Sequence, residues 1–292
     1  GLTKAMEIER IGSIKNALGE GPLWDHQQQR LFWVDSLKGC IYCLDQTEEV
    51  THWQLPQMIG SLAVVTEHTL LVALQNGLHF FNLQSNALTL ISDPESEQPA
   101  TRFNDGKTDR FGNFIAGTMG ITIRDRALGA LYRLHPDLSL DILEPDVIVA
   151  NGPCFSPDGH TLYFNDGRRR ILAYDYSPTG PLKNKRQLFD GNSHQTSSDG
   201  ATVDTEGNIW TALTGSGEIG CLSTQGKLKN RIKMPIPLPS SVMFAGPNLD
   251  ELYVTSISDS GNWRNEEYDS GGLFRIKGLD AAGLVETPFS QD

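Results

Sequence analysis

The chain has 292 residues, 38% of them hydrophobic, and its formal net charge is −12 at pH 7. This length and composition predict a soluble globular protein, and the acidic balance argues against nucleic acid or an anionic membrane as a partner. Because no apolar stretch approaches the ~18 residues of a membrane span and the N-terminus lacks a signal-peptide core, we expect a cytoplasmic protein.

The cysteines indicate reduced thiols rather than a zinc site. Cys40 and Cys43 form a C-x-x-C pair within a strand-like run, where residues three apart point to opposite faces. Cys154 and Cys221 stand alone, so no second pair completes a metal site. Reduced thiols also fit the expected cytoplasmic location.

A repeated pattern of short β-type runs extends along the chain. Each unit has three or four runs rich in β-branched and aromatic residues, separated by turns with Asp, Gly or Pro. The units lie roughly 40–50 residues apart. In chain order they cover Gly21–Asp45, Leu62–Leu83, Gly106–Leu134, Gly152–Tyr176, Gly200–Ser223 and Ser241–Ile276.

Repeats of this length, made of consecutive antiparallel strands, are typical of propeller blades. We therefore predict an all-β fold, a six-bladed β-propeller with a metal site at its central channel, as a single domain over residues 1–292. Residues 1–10 are expected to lie outside the ordered domain, as a disordered or foreign leader. No stretch shows a convincing amphipathic helix.

Three polar residues occupy the same place in three units. Glu20 precedes Gly-Pro, Asn151 precedes Gly-Pro, and Asp199 precedes Gly-Ala. A radial arrangement brings equivalent positions to one centre, where these side chains would offer oxygen ligands to one divalent cation. Ca²⁺, Mg²⁺ or Mn²⁺ suits this set better than Zn²⁺. The alternative, that each is only a turn residue, is weakened by the shared register.

The third unit adds two candidate substrate-binding residues. Arg102 and Asn104 alternate with Phe103, so on an extended strand they would share a face and could look into the channel. Arg can anchor an anionic or hydroxylated group, and Asn can both donate and accept hydrogen bonds. A surface Arg and a turn Asn is the alternative interpretation.

Weaker signals lie elsewhere. His194 is on a polar loop that could roof the channel, although a surface histidine is the simpler interpretation. The segment Asn262-Trp263-Arg264 could contact substrate from an acidic loop. By strand alternation Cys154 faces away from Asn151, and no serine has a Gly-x-Ser-x-Gly setting.

Several short segments together form a recognisable family pattern. They are Gly19-Glu20-Gly21-Pro22, Arg102 to Asp109 with Gly112, Gly117-Thr118-Met119, Asn151-Gly152, Ser198-Asp199-Gly200 with Asp204 and Gly207, and Gly246 to Ser256. By these segments the chain resembles the SMP-30/gluconolactonase/luciferin-regenerating (regucalcin-like) family over nearly its whole length. The resemblance implies a six-bladed propeller that hydrolyses sugar-acid lactones with one divalent metal ion. It implies Glu20, Asn151 and Asp199 as metal ligands, Asp199 as the catalytic base, and Arg102 and Asn104 as substrate-binding residues.

One departure concerns substrate recognition. Some members carry an acidic substrate-binding residue shortly after Gly-Thr-Met, whereas here Gly120-Ile121-Thr122-Ile123 follows and the next acid is Asp125. The accepted sugar and ring size are therefore open. Two other functions also remain open: a metal-binding regulatory protein without turnover, and a metal-dependent hydrolase of another ester, such as a phosphotriester.

Overall fold

The computed structural model describes residues 5–290, which form six four-stranded antiparallel sheets. The strands of the first three sheets are β2 Gly19–Asp25, β3 Arg30–Asp35, β4 Cys40–Leu44 and β5 Val50–Gln54; β6 Ile59–Val64, β7 Thr69–Leu74, β8 Gly77–Asn82 and β9 Leu88–Ser92; and β10 Thr101–Thr108, β11 Phe114–Gly120, β12 Gly129–Leu134 and β13 Leu140–Val147.

The remaining three sheets complete a six-bladed propeller. Their strands are β14 Asn151–Phe155, β15 Thr161–Asn165, β16 Arg170–Asp175 and β17 Lys183–Asp190; β18 Ser198–Val203, β19 Ile209–Leu213, β20 Glu218–Leu222 and β21 Leu228–Lys233; and β22 Pro239–Ala245, β23 Glu251–Ser256 and β24 Leu273–Lys277 with β1 Glu7–Ile11. Two short 3-10 helices, Asn192–His194 and Thr214–Ser216, are the helical segments of the described residues. Neither has the length or apolar character to cross a membrane. The predicted all-β propeller with six blades is confirmed.

The N-terminal strand closes the ring. β1 pairs antiparallel with β24 at the outer edge of the last blade, with Ile11 opposite Leu273 and Glu7 opposite Lys277. The expectation that residues 1–10 lie outside the ordered domain is therefore wrong for residues 7–10, because their backbone groups and Ile11 complete this blade. Residues 1–4 lie outside the described range.

The core consists of apolar side chains on the sheet faces, packed between neighbouring blades. Phe32 and Trp33 are fully buried on opposite faces of the first blade, and Phe244 lies against Trp210 between the last two. Such alternating faces are what the apolar runs of the repeats predict. The four cysteines are free and buried, as expected for reduced thiols.

The innermost strand of every blade carries a β-bulge, an irregularity that re-aims side chains. In the blades of Glu20, Asn151 and Asp199 the register shifts between Glu20 and Leu23, between Asn151 and Cys154, and between Ser198 and Ala201. The same shift occurs on β6, β10 and β22. In all six innermost strands the irregularity begins in the first half of the strand, and in three of them it lies at or directly beside Glu20, Asn151 or Asp199.

Candidate metal and substrate site

The three predicted metal ligands meet at one end of the channel. Glu20 is the second residue of β2, Asn151 the first of β14, and Asp199 the second of β18. Gly152 has a φ of +60°, and a Cβ added there would lie 2.7 Å from the backbone oxygen of Asp199. Glycine therefore follows Asn151 because the bulge is left-handed at that point and packs directly on the next blade.

The oxygen atoms of these three side chains crowd together. The Glu20 and Asp199 carboxyl groups lie within hydrogen-bonding reach of each other. Burial, with Asp199 and Asp105 adding repulsion, holds the pKa of Glu20 well above its usual range. Burial likewise raises the pKa of Asp199. Because desolvated carboxylates repel one another, this end of the channel is electrostatically suited to a cation.

A chain of hydrogen bonds fixes which end of the Asn151 amide faces the channel. Arg102 Nη1, which can only donate, donates to Asn104 Oδ1 at 3.1 Å. Asn104 Nδ2 must then donate, and its acceptors are the backbone oxygen of Ala150 at 2.8 Å and Asn151 Oδ1 at 3.0 Å. The Asn151 oxygen is thereby held 3.1 Å from Asp199 Oδ1.

Two oxygens at that distance need a proton or a cation between them. Turning the Asn151 amide over would relieve the contact with Asp199 but would set its NH2 group against that of Asn104. The hydrogen-bond chain thus maintains an oxygen donor where a divalent cation would accept one. Two carboxylates and one amide oxygen match the ligand chemistry of Ca²⁺, Mg²⁺ or Mn²⁺.

Asp105 was not singled out by the sequence, yet it is part of this site. Its carboxylate accepts hydrogen bonds from the backbone nitrogens of Gly106 at 2.9 Å and Gly152 at 2.8 Å, and burial raises its pKa. Oδ1 is engaged within β10, and Oδ2 ties β10 to the bulge of β14. Through Gly152, Asp105 supports the backbone beside Asn151, and its charge adds to the repulsion that raises the pKa values of Glu20 and Asp199.

Arg102 and Asn104 lie side by side, as the alternation predicts. They are 3% and 7% exposed, so the alternative of a surface Arg and a turn Asn is wrong. Phe103 faces the opposite way and packs on Tyr132, with ring centroids 5.8 Å apart. Ser61 Oγ donates to the backbone oxygen of Asn104 at 2.9 Å and fixes β10 against the neighbouring blade.

The weaker candidates lie apart from these contacts. His194 ends a 3-10 helix, bonds to the backbone oxygen of Asp190 at 3.0 Å and packs on Phe189. Trp263 is 37% exposed beside a groove of about 460 Å³, and the exposed Arg264 pairs with Glu266. Cys154 packs between two blades, and burial raises the pKa of its thiol to about 12.

Arg124, like Asp105, was missed by the sequence reasoning. The Arg124 guanidinium is close enough to Arg102 to lower the pKa of that group, second only to burial. The sequence feature that could have indicated this residue is Gly120. In the structure a Cβ at that position would lie 2.1 Å from the backbone oxygen of Ile123, so only glycine fits there. Glycine at this position indicates a tight turn, in which the chain folds back on itself just before Arg124.

Comparison with known proteins gives a consistent result. The family model described as "SMP-30/Gluconolactonase/LRE-like region" matches residues 18–258. Regucalcin from Xenopus laevis is 32% identical, covering 98% of this chain and 99% of that protein. L-arabinolactonase from Azospirillum brasilense is 33% identical, with 95% of each chain covered. The solved structure of a luciferin-regenerating enzyme is 30% identical, with a TM-score of 0.90 over 98% of this chain and 100% of that one. The chain belongs to the SMP-30/gluconolactonase/LRE-like family.

Proposed function

We propose that this protein hydrolyses a sugar-acid lactone to the open-chain sugar acid, with one divalent metal ion held by Glu20, Asn151 and Asp199. The observation that carries the proposal is the convergence of two buried carboxyl groups and an amide oxygen fixed by its hydrogen bonds. The related L-arabinolactonase and the gluconolactonase family description support a lactone as the substrate.

Ring opening requires a base for the attacking water and stabilisation of the charge on the carbonyl oxygen. Asp199 accepts the proton of the attacking water, whose oxygen bonds to the lactone carbonyl carbon. As the bond from that carbon to the ring oxygen breaks, the proton passes to the ring oxygen, which becomes a hydroxyl group of the product. The cation, when bound, supplies electrostatic stabilisation of the negative charge that develops on the carbonyl oxygen.

Arg102 and Asn104 position the substrate. Arg102 Nη1 is committed to Asn104 and to the backbone oxygen of Phe103, and its other nitrogens are left for the ligand. Both side chains are buried, and the remaining donors of Arg102 need no reorganisation. Both hydrogens of the Asn104 amide are used within the protein, so Asn104 acts on the substrate by holding Arg102 in place. The acceptors of a sugar ring, its hydroxyls and ring oxygen, match these donors.

The test is turnover of a panel of sugar lactones by protein stripped with EDTA and then supplied with Mn²⁺, Zn²⁺, Ca²⁺ or Mg²⁺. Ring opening releases a proton from the new carboxylic acid, which a pH indicator records. Metal-restored turnover of one or a few lactones is expected. Absence of turnover with every metal, from folded protein that still binds the ion, would refute hydrolysis and favour a metal-binding protein without catalysis. Turnover of phosphotriesters alone would identify a different ester hydrolase.

A further inference from the structure

Lys107, on the innermost strand of the third blade, reaches across the central channel. Its Nζ donates to the backbone oxygen of Ala201 at 2.6 Å. Because β10 belongs to the third blade and β18 to the fifth, this bond joins two blades with another blade between them. Among the described residues, the contact between the carboxyl groups of Glu20 and Asp199 is the other side-chain link between innermost strands of blades that are not neighbours.

Ala201 is the residue at which regular pairing resumes after the bulge of β18. The register shifts just before it, so Asp199 lies in the irregular stretch. A bulge interrupts the ladder that would otherwise fix the direction of each side chain. The adjacent oxygen of Gly200 accepts a bond from Thr211 Oγ1 on β19 at 3.0 Å. Lys107 therefore holds the channel side of the strand segment that presents Asp199.

Lys107 has the corresponding place on β10. The register of this strand shifts between Phe103 and Gly106, so Asn104 lies in the bulge. Lys107 follows the bulge and pairs regularly with Ile115 on β11. The bond across the channel thus joins the regular parts of two strands, and the bulges of these strands present the candidate substrate-orienting and metal-binding groups.

The ammonium group of Lys107 is buried at a cost in free energy. The residue is 9% exposed, and its hydrogen-bond partner is a neutral backbone oxygen. One bond to a neutral group offsets only part of the desolvation of an ammonium ion. A methionine would fill a similar volume without this cost, so stability alone does not account for the lysine. What methionine lacks is the donor that connects β10 to β18.

We propose that Lys107 is a positioning residue for the reaction, because its bond to β18 fixes the separation between Asp199 and the side chains of β10 that orient the lactone. The inference rests on the proposed lactonase function, in which Asp199 accepts a proton from the water that attacks the lactone. The hydrogen bonds of Asn104 and Asp105 tie β10 to β14 and do not reach β18. Lys107 supplies that missing connection.

The decisive variant is Lys107→Met, with Thr214→Val as the matched control. Thr214 is 3% exposed, and its Oγ1 donates at 2.8 Å to the backbone oxygen of Pro239, the first residue of β22. It is therefore also a buried donor that ties an innermost strand, but β22 carries none of the proposed metal or substrate residues.

The kinetic constants of K107M should separate. A displacement of about 1 Å can cost about 100-fold in rate, so we expect kcat to fall by about 10- to 100-fold. KM should stay close to that of the wild type, because the substrate-orienting side chains remain on β10. T214V should leave both constants unchanged.

Calorimetric titration of EDTA-stripped protein with Mn²⁺ tests the inference without turnover. Lys107 lowers the pKa of the buried Asp105, so its charge acts on the acidic end of the channel. Loss of that charge alone would strengthen cation binding, whereas a displaced Asp199 would weaken it. We expect the dissociation constant of K107M to rise by about threefold or more, less than the roughly 10–100-fold typical of groups that contact a metal ligand directly. T214V should bind Mn²⁺ as the wild type does.

Failure of the inference and failure of the proposed function are distinguishable. Wild-type protein that binds Mn²⁺ but opens no lactone overturns the function, and the titration still decides the role of Lys107. An unchanged kcat in K107M, an equal fall in T214V, or unchanged or tighter Mn²⁺ binding by K107M overturns the positioning role. Circular dichroism confirms that each variant is folded. Lys107→Gln, whose neutral side chain is shorter, should give the same pattern and replaces K107M if that variant does not fold.

Discussion

Replacing Asn104 by Leu tests whether the hydrogen-bond chain orients Asn151, the proposed metal ligand. The substitution keeps the approximate size of the side chain but removes its oxygen and its NH2 group. Asn151 then loses the 3.0 Å bond that distinguishes its oxygen from its nitrogen. Its amide is free to turn over and donate to Asp199 Oδ1, 3.1 Å away. A cation could then bind the side-chain oxygens of Glu20, Asn151 and Asp199 together only after the Asn151 amide had rotated back.

The expected magnitude follows from the bonds that are lost. A neutral hydrogen bond contributes about 1 kcal/mol and one to a charged group about 1.5–3 kcal/mol. Groups that orient metal ligands typically change metal affinity by about 10–100-fold when they are removed. We expect the dissociation constant of N104L for Mn²⁺ or Ca²⁺ to rise within that range.

The assay is isothermal titration calorimetry of EDTA-stripped protein, which needs no substrate. Ser61→Ala serves as the control, because it removes a 2.9 Å bond to the backbone oxygen of Asn104 and leaves the side-chain relay in place. We expect its dissociation constant to change by less than about threefold, since no metal ligand depends on this bond. Unchanged metal affinity in N104L, or an equal loss in S61A, would refute the argument that the relay orients Asn151.

Three further outcomes are expected. Asp199→Ala should lower kcat more than about 100-fold, which corresponds to about 3 kcal/mol in activation free energy. Near-normal single-turnover kinetics of this variant would show that Asp199 is not the base. A divalent cation at about 100 times its dissociation constant should stabilise the wild-type protein by about 2.7 kcal/mol, which is measured as a rise in Tm. An equal rise in the Tm of Glu20→Gln would show that the ion binds elsewhere. Ile11→Ala should cost about 2–4 kcal/mol of unfolding free energy because Ile11 is buried in the closing blade. The exposed Glu7→Ala on the same strand should cost under about 0.5 kcal/mol, and equal chemical denaturation midpoints for the two would contradict the role given to β1.

The sequence predicted the blades and the equivalence of Glu20, Asn151 and Asp199 because repetition is visible without coordinates. In three blades the first strand has apolar residues after a polar-glycine pair, so a radial fold puts these three pairs together. The shared face of Arg102 and Asn104 was predictable for a simpler reason, the two-residue period of a strand.

Other parts of the structure left little pattern in the sequence. The outermost strand β17, Lys183–Asp190, is mostly exposed and charged, so no apolar alternation marks it. The pairing of β1 with β24 joins residues at opposite ends of the chain, and nothing local indicates it. Asp105 acts through backbone nitrogens, one of them on another blade, and Arg124 depends on the fold of a turn. These are long-range or loop-dependent relationships that a periodic pattern does not record.

The closure of the ring by the first strand has a consequence for the order of events during synthesis. Glu20 is made early, but its neighbour on one side is the last blade, where Ser240 Oγ donates to the backbone oxygen of Gly19. That blade is complete only when β24 has been synthesised and has paired with β1, which was made first. A nascent or prematurely terminated chain thus has Asn151 and Asp199 on adjacent blades but no support on that side of Glu20. If Glu20, Asn151 and Asp199 bind one ion as proposed, full ion binding therefore requires that the last blade has formed and paired with β1.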